Sequence, residues 1–231
     1  MPHLSSALQI TSFCQYVNSD PYSPDTTRTH SEALLDIAAA HGRGKLQPFL
    51  AECVEKVYSM NNKLNLATVS KNFRILLELS RDPNKHVRAA VAENLYAPLA
   101  ALEALARDKS EDVRDAVARN KGVPPHILAE LAGDKSWYVR LTVASVDSTP
   151  PDALVTLAKE DDVNIREAVA SNPGAPLKLL RKLAKDSDWI IRLGVAYNPS
   201  ASSDILALLA NDKDWSVSSK AKKRLSELVR L

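Results

Sequence analysis

The stretch "RDKSEDVRDAVARN", residues 107–120, decides the fold, because the chain contains nearly the same phrase several times. Twenty-six residues earlier the chain reads "RDPNKHVRAAVAEN", residues 81–94. We count positions from the acidic residue that stands second in each copy, Asp108 in the quoted stretch, and call it position zero. Six copies follow one another at a constant spacing of 26 residues. A fixed period of this length is typical of a stacked array of small structural units.

Four positions define the repeat. Position 0 is acidic in all six copies: Asp82, Asp108, Asp134, Glu160, Asp186 and Asp212. Position 5 is β-branched in all six: Val87, Val113, Val139, Ile165, Ile191 and Val217. Position 6 is arginine until the last copy: Arg88, Arg114, Arg140, Arg166, Arg192 and then Ser218. Position 12 is asparagine in four copies, with exceptions in the third and the sixth: Asn94, Asn120, Val146, Asn172, Asn198 and Arg224.

Each repeat is predicted to form two short helices. Leucines three residues apart, such as Leu102 and Leu105, share one face of the first helix, and Pro98 stands near its start. The acid at position 0 is predicted to cap the second helix, and Glu111 lies where a capping box would place it. The second helix buries valines and alanines. The asparagine that ends it tolerates a left-handed backbone and can satisfy free backbone groups.

One such pair of helices cannot bury its leucine face alone, whereas a stack of pairs can. The sequence therefore predicts an all-α protein, an α/α superhelical solenoid of six two-helix repeats at residues 72–231. The ending "SSKAKKRLSELVRL", residues 218–231, is interpreted as a solvated C-terminal capping repeat. Residues 1–71 lie outside the register and are predicted to form an N-terminal helical cap. A separate partner-binding module is the alternative.

The repeated motif resembles the leucine-rich repeat variant (LRV) family of helical repeats. The resemblance rests on "LARDKSEDVRDAVARNKGVPPHIL", residues 105–128, and "LAKDSDWIIRLGVAYNPSASSDIL", residues 183–206, and covers about residues 72–225. It also extends to the HEAT class, which shares the D-x-x-x-x-V-R phrase. It implies a right-handed superhelix with a concave face. One type of family member carries a [4Fe–4S] cluster, which needs four thiolates. This chain has two cysteines, Cys14 and Cys53, so we expect no cofactor.

No catalytic or metal-binding motif is recognisable. The histidines form no H-x-x-x-H pair, so we expect no metal site. "HGRGKL", residues 41–46, departs from a phosphate-binding loop at Ala39 and Leu46. We therefore expect a protein that is not an enzyme.

Composition constrains partners and location. Thirty basic and 28 acidic residues give a net charge of +2, without the basic excess typical of proteins that wrap duplex DNA. No run of 18 apolar residues exists, so no membrane association is expected. Two unpaired thiols and the lack of a usual secretion signal indicate the cytoplasm. The Ser/Thr-rich start, residues 18–31, leaves delivery into another cell open.

The arginines at position 6 are predicted to be structural. The resemblance to HEAT repeats implies that this ladder of arginines pairs with the ladder of acids at position 0. A guanidinium offers five donors to carbonyls and acids of adjacent repeats. The alternative is an anion-binding stripe along the stack.

Position 3 supplies the candidate partner-binding residues. It holds Trp137, Val163, Trp189 and Trp215 in repeats 3 to 6, which would align as an apolar ridge. Repeats 1 and 2 carry charged residues there, so the position tolerates exposure. Trp137 and Trp189 also stand one turn before a ladder arginine, which permits cation–π stacking. The alternative is that each indole packs on the preceding repeat.

These observations favour a scaffold that binds another macromolecule, for which we expect a protein. A nucleic-acid binder, or a DNA-repair type of enzyme on a HEAT-like fold, is the alternative. The residues that support this alternative are Trp137 and Asp134. The fold by itself excludes neither the scaffold nor the nucleic-acid binder or enzyme.

Overall fold

The structure is a computed structural model, and it describes residue 59 and residues 61–228. The chain divides into two compact bodies, Met1–Ser70 and Lys71–Leu231, and the second contains all six repeats. Of the first body, residues 61–69 are helical. The predicted cap or module at residues 1–71 otherwise lies outside the described residues.

The repeat region is helical, and no strand occurs in the part of the chain that the structure describes. The first helices of the six repeats are α1 (Phe73–Leu79), α3 (Leu99–Leu105), α5 (Pro125–Leu131), α7 (Pro151–Leu157), α9 (Leu177–Leu183) and α11 (Ser203–Leu209). The second helices are α2 (Lys85–Glu93), α4 (Glu111–Arg119), α6 (Trp137–Ser145), α8 (Val163–Ser171), α10 (Trp189–Tyr197) and α12 (Trp215–Leu228). Both series advance by 26 residues, so the predicted all-α solenoid is confirmed.

The two series form two layers around one core. The first helices bury leucine pairs such as Leu128 and Leu131, and the second helices bury positions 5 and 9, as Val113 and Val117 show. Position 10 is a fully buried alanine from repeat 1 to repeat 5: Ala92, Ala118, Ala144, Ala170 and Ala196. Consecutive second helices pack against one another, while consecutive first helices touch sparsely. Small side chains at position 10 permit this close approach.

The predicted role of the acid as N-cap is wrong. The cap stands at position 2, for example at Ser110, and the side chain of Asp188 caps its helix by accepting the backbone N–H of Ile190. The acid at position 0 instead accepts the backbone N–H of position 2, as in Asp108, where the distance from the Ser110 nitrogen is 2.8 Å. The capping box at Glu111 is consequently not formed. The carboxylate at position 0 is needed elsewhere, because it binds an arginine of the previous repeat.

The asparagines at position 12 join neighbouring repeats. The Asn120 side-chain nitrogen donates to the carbonyls of Ala92 and Asn94 at 2.5 and 3.0 Å, and its oxygen accepts the backbone N–H of Gly122. Asn172 in repeat 4 and Asn198 in repeat 5 form the same hydrogen bonds to the repeat before them. The amide therefore satisfies backbone groups as expected. The left-handed backbone was wrongly expected, because these residues are extended with φ near −65°.

The two exceptions at position 12 behave differently. In repeat 6, Arg224 donates to the carbonyls of Ala196 and Asn198, the same two groups that an asparagine would reach. In repeat 3, the apolar Val146 can donate nothing to the Ala118 carbonyl, although Ala118 is fully buried. The asparagine ladder is therefore interrupted between repeats 2 and 3.

Val146→Asn should restore the missing hydrogen bonds from position 12 of repeat 3 to the backbone of repeat 2. The backbone at Val146, with φ −80° and ψ 125°, is close to that of Asn172, with φ −68° and ψ 124°, so the amide can adopt the same geometry. A recovered hydrogen bond to a buried carbonyl should raise the free energy of unfolding by about 1 kcal/mol. Urea unfolding of both proteins measures the change.

Asn172→Val is the matched control, because it makes the reverse change at the equivalent position, where Asn172 donates to the carbonyls of Ala144 and Val146. It should lower the free energy of unfolding by about 1–3 kcal/mol, since it leaves buried carbonyls without a donor. A Val146→Asn protein that is less stable than the parent would show that an asparagine at position 12 does not stabilise the contact between repeats 2 and 3.

Candidate partner-binding surface

The ladder arginines bind the acids of the following repeat. The pairs are Arg88–Asp108, Arg114–Asp134, Arg140–Glu160, Arg166–Asp186 and Arg192–Asp212, with distances of 2.6–3.3 Å from Nε to the carboxylate. In the second pair, Nε and Nη2 of Arg114 reach the two oxygens of Asp134 at 2.6 and 2.8 Å. Its Nη1 donates to the Asp108 carbonyl at 2.7 Å. Each guanidinium thus links its own repeat to the next one.

The first acid of the series has a related role within its own repeat. The Asp82 carboxylate accepts the backbone N–H of Asn84, and its carbonyl accepts Nη1 of Arg88. The side chains of Arg88, Arg114 and Arg192 are nearly buried, and those of Arg140 and Arg166 are half-buried. An anion-binding stripe would require guanidiniums that face solvent.

The ladder shifts the pKa values of its members. Burial by itself would raise the pKa of Asp134, but the Arg114 guanidinium and the Ser136 backbone N–H hold that pKa below its usual value. Asp108 follows the same pattern, with Arg88 and Ser110 as its donors. Hydrogen bonding to Asp134 raises the pKa of Arg114, although burial opposes the shift. Both partners therefore stay charged inside the stack.

The tryptophans at position 3 lie on the surface. Each begins a second helix, and the exposed fractions are 53% for Trp137, 44% for Trp189 and 79% for Trp215. Val163, the fourth member of the predicted ridge, is half-buried. The indoles are not buried against the preceding repeat, as the alternative interpretation would require.

The expected cation–π stacking is wrong for both pairs. Among the described residues, the cation–π contacts join Lys71 to Tyr96, Arg74 to Phe73 and Lys220 to Tyr197. Arg140 and Arg192 do not reach the indoles, because their guanidiniums turn into the stack to bind acids and carbonyls. Trp137 instead meets Tyr138 edge-to-face, with 6.0 Å between the ring centroids and 79° between the planes.

The exposed apolar surface is wider than position 3 alone. Tyr138 and Ile190, at position 4, and Tyr197, at position 11, are also exposed on second helices. Position 4 was overlooked, although its change from His86 and Asp112 to Tyr138 and Ile190 parallels the change at position 3. We use the name apolar surface for the exposed residues Trp137, Tyr138, Trp189, Ile190, Tyr197 and Trp215.

Repeats 1 and 2 present charges on the corresponding face. Lys85 pairs with Asp112 at 2.8 Å, and Arg119 pairs with Asp115 at 2.6 Å. The hydroxyl of Thr142 donates to Asp115, and burial raises the pKa of this carboxyl. The second-helix layer therefore has a charged half, in repeats 1 and 2, and an apolar half, which begins at repeat 3.

A groove of about 590 Å³ lies in the apolar half, between α6 and α8. Trp137 and Leu141 line it from α6, and Asn164 and Glu167 line it from α8. A second depression of about 510 Å³ surrounds Trp189. Within the described residues, no three His, Cys, Asp or Glu side chains come together to hold a metal ion, and no helix could cross a membrane.

Comparison with known proteins agrees with the repeat architecture. Residues 86–110 match the model of the family described as Leucine rich repeat variant, which confirms the resemblance predicted from the repeated motif. A search of curated proteins found no match. Among solved structures, the chain is similar to "a leucine-rich repeat variant with a novel repetitive protein structural motif". The identity is 23%, the TM-score is 0.41, and the match covers 86% of this chain and 83% of the other.

Arg114→Ala should destabilise the stack. The substitution leaves the Asp134 carboxylate, only 7% exposed, without its counter-charge. We expect the free energy of unfolding to fall by about 2–4 kcal/mol in urea titrations. Arg107→Ala is the control, because Arg107 also pairs with an acid of the next repeat, Glu130, but is 65% exposed. Its loss should cost less than about 1 kcal/mol, and equal effects would contradict the buried ladder.

The ladder also predicts the acid sensitivity of the fold. The pKa values of Asp108, Asp134 and Asp212 are lowered in the folded state, so unfolding takes up protons at low pH. Their contribution is present above the ordinary aspartate pKa of about 4 and is lost as the pH falls through the folded-state values. Urea titrations from about pH 5 downward measure the loss.

Arg114→Ala serves as the internal comparison for this acid titration. It removes the cation that lowers the pKa of Asp134, so its free energy of unfolding should fall less steeply with acid than that of the parent. Parallel curves for the two proteins would show that the pair does not shift this pKa.

Proposed function

We propose that the protein is a non-enzymatic helical-repeat scaffold that binds a protein partner through the apolar surface of its second-helix layer. The observation that carries the proposal is the exposure of all three tryptophans on one layer of a stack whose core is already complete without them. Exposed tryptophans at one phase of a repeat offer large rigid contact area, and such residues are enriched at binding hot spots.

The charge of this surface supports a protein partner more than a nucleic acid. The ladder arginines of α6, α8 and α10 bind acids of the next repeat, so they do not offer phosphate contacts. Affinity for nucleic acid depends on such contacts. The basic residues Lys220, Lys222 and Lys223 are confined to α12, where Lys220 stacks on Tyr197 at the edge of the apolar surface. A gel shift at two salt concentrations tests this alternative directly.

The double variant Trp189→Ala/Trp215→Ala should lose partner binding while keeping its stability. Loss of an aromatic anchor at an interface typically costs about 2 kcal/mol or more, which corresponds to roughly a thirtyfold weaker complex. Because both indoles are largely exposed, the melting temperature should change little. Affinity capture from the native cell with parent and variant as baits, followed by mass spectrometry, identifies proteins that depend on the tryptophans.

Phe73→Ala provides the matched control. Phe73 is an aromatic residue with 59% exposure, but it lies on the first helix of repeat 1 and outside the apolar surface. We expect this variant to capture the same proteins as the parent. If the double variant melts at a much lower temperature and still binds its partners, the indoles serve packing and the proposed binding surface is wrong.

A further inference from the structure

The three second helices α6, α8 and α10 contain one acidic residue, Glu167. Across α6, α8 and α10, the charged side chains are the three ladder arginines and Glu167. The arginines bind acids of the following repeat, which leaves Glu167 as the one charged residue of these three helices outside the arginine ladder. Glu167 is half-buried, and no cationic side chain of the described residues forms an ion pair with it.

Glu167 is held in a defined position within the groove between repeats 3 and 4. The Ser171 hydroxyl, one turn later on the same helix, donates to Oε1 of Glu167 at 2.9 Å. The indole of Trp137, fixed edge-to-face by Tyr138, lines the same groove. A second acid, Asp147, lines it as well, and no lining residue is basic. The groove therefore combines an aromatic wall with two carboxylates.

The nature of the occupant follows from the cost of covering this carboxylate. An apolar segment laid over the groove would bury the Glu167 charge without a partner, which is strongly unfavourable. A phosphate or an acidic segment would add repulsion. A guanidinium or ammonium group on an aliphatic stem neutralises the carboxylate, stacks on the indole and packs its stem against Leu141.

We propose that the groove between repeats 3 and 4 is a specificity pocket for a basic side chain of the protein partner, with arginine as its best occupant. Arginine is favoured because its planar guanidinium stacks on an indole and can bind a carboxylate through two donors. The proposal rests on the proposed function and names the chemistry of the partner. On a surface dominated by apolar contacts, a single charge pair of this kind selects among partners and fixes their register.

The experiment uses small probes and the full chain. N-acetyl-arginine amide, N-acetyl-norleucine amide and N-acetyl-glutamate amide are titrated into the protein at millimolar concentrations. The indole N–H signal of Trp137 is followed by NMR and is assigned with Trp137→Phe. We expect a saturable shift with the arginine probe, and binding at least about tenfold weaker for the other two.

Substitutions at Glu167 and at Asp152 test whether the Glu167 charge is responsible for binding the arginine probe. Glu167→Gln keeps an oxygen for the Ser171 hydroxyl but removes the charge, and it should weaken binding of the arginine probe by about tenfold. Asp152→Asn is the control, because it removes a charge from the same repeat on the first helix, α7, and should change nothing. Glu167→Lys should reverse the preference toward the glutamate probe.

Three outcomes would overturn the proposal: no saturable shift with the arginine probe, equal binding of the norleucine probe, or no effect of Glu167→Gln. Because the titration needs no partner protein, it is independent of the capture experiment with the tryptophan variants. Loss of the capture result alone would remove the proposed function, and loss of the titration result alone would remove only the assignment of the pocket.

Discussion

The pairing of an arginine with the acid of the next repeat is the constraint on which the stack depends. A nearly buried guanidinium needs a full set of acceptors, since an uncompensated charge inside the stack would be strongly destabilising. Arg114 finds them in the Asp108 carbonyl of its own repeat and in the Asp134 carboxylate 20 residues later. An insertion between arginine and acid would separate the partners. The ladder therefore accounts physically for a spacing of 26 residues that holds across six repeats.

Repeat 6 departs from this constraint at one position and keeps a second link at another. Repeat 6 has Ser218 at position 6, so the arginine ladder ends with the pair Arg192–Asp212. At position 12 the contact is with the preceding repeat instead, because the side chain donates to backbone carbonyls there. Repeat 6 keeps this contact, with Arg224 in place of asparagine. The two ladders run in opposite directions along the chain, and repeat 6 keeps only the one that points back to repeat 5.

The sequence alone was enough to predict what depends on periodicity. The helix pairs, their spacing, the buried leucines and the exposed phase of the tryptophans follow from which residue types recur. Prediction from the sequence failed where a preference within one repeat, such as helix capping, competes with a contact between repeats. An aspartate before a helix suggests an N-cap, but Asp134 is engaged by Arg114, and Ser136 becomes the cap residue. The groove was beyond sequence reasoning, because it forms only where α6 and α8 lie side by side.

Because the contacts between repeats use other positions, the outer face of the second helices is free to vary. Positions 0, 5, 6, 9 and 10 hold the stack together, whereas position 3 can be Lys85 in one repeat and Trp189 in another without loss of a ladder contact. A single scaffold can therefore carry a charged half and an apolar half. Within the apolar half, one half-buried carboxylate at Glu167 serves no ladder and stabilises no neighbouring repeat through an ion pair among the described residues. Its position is set by the Ser171 hydroxyl of its own helix, so this carboxylate can vary without disturbing either ladder.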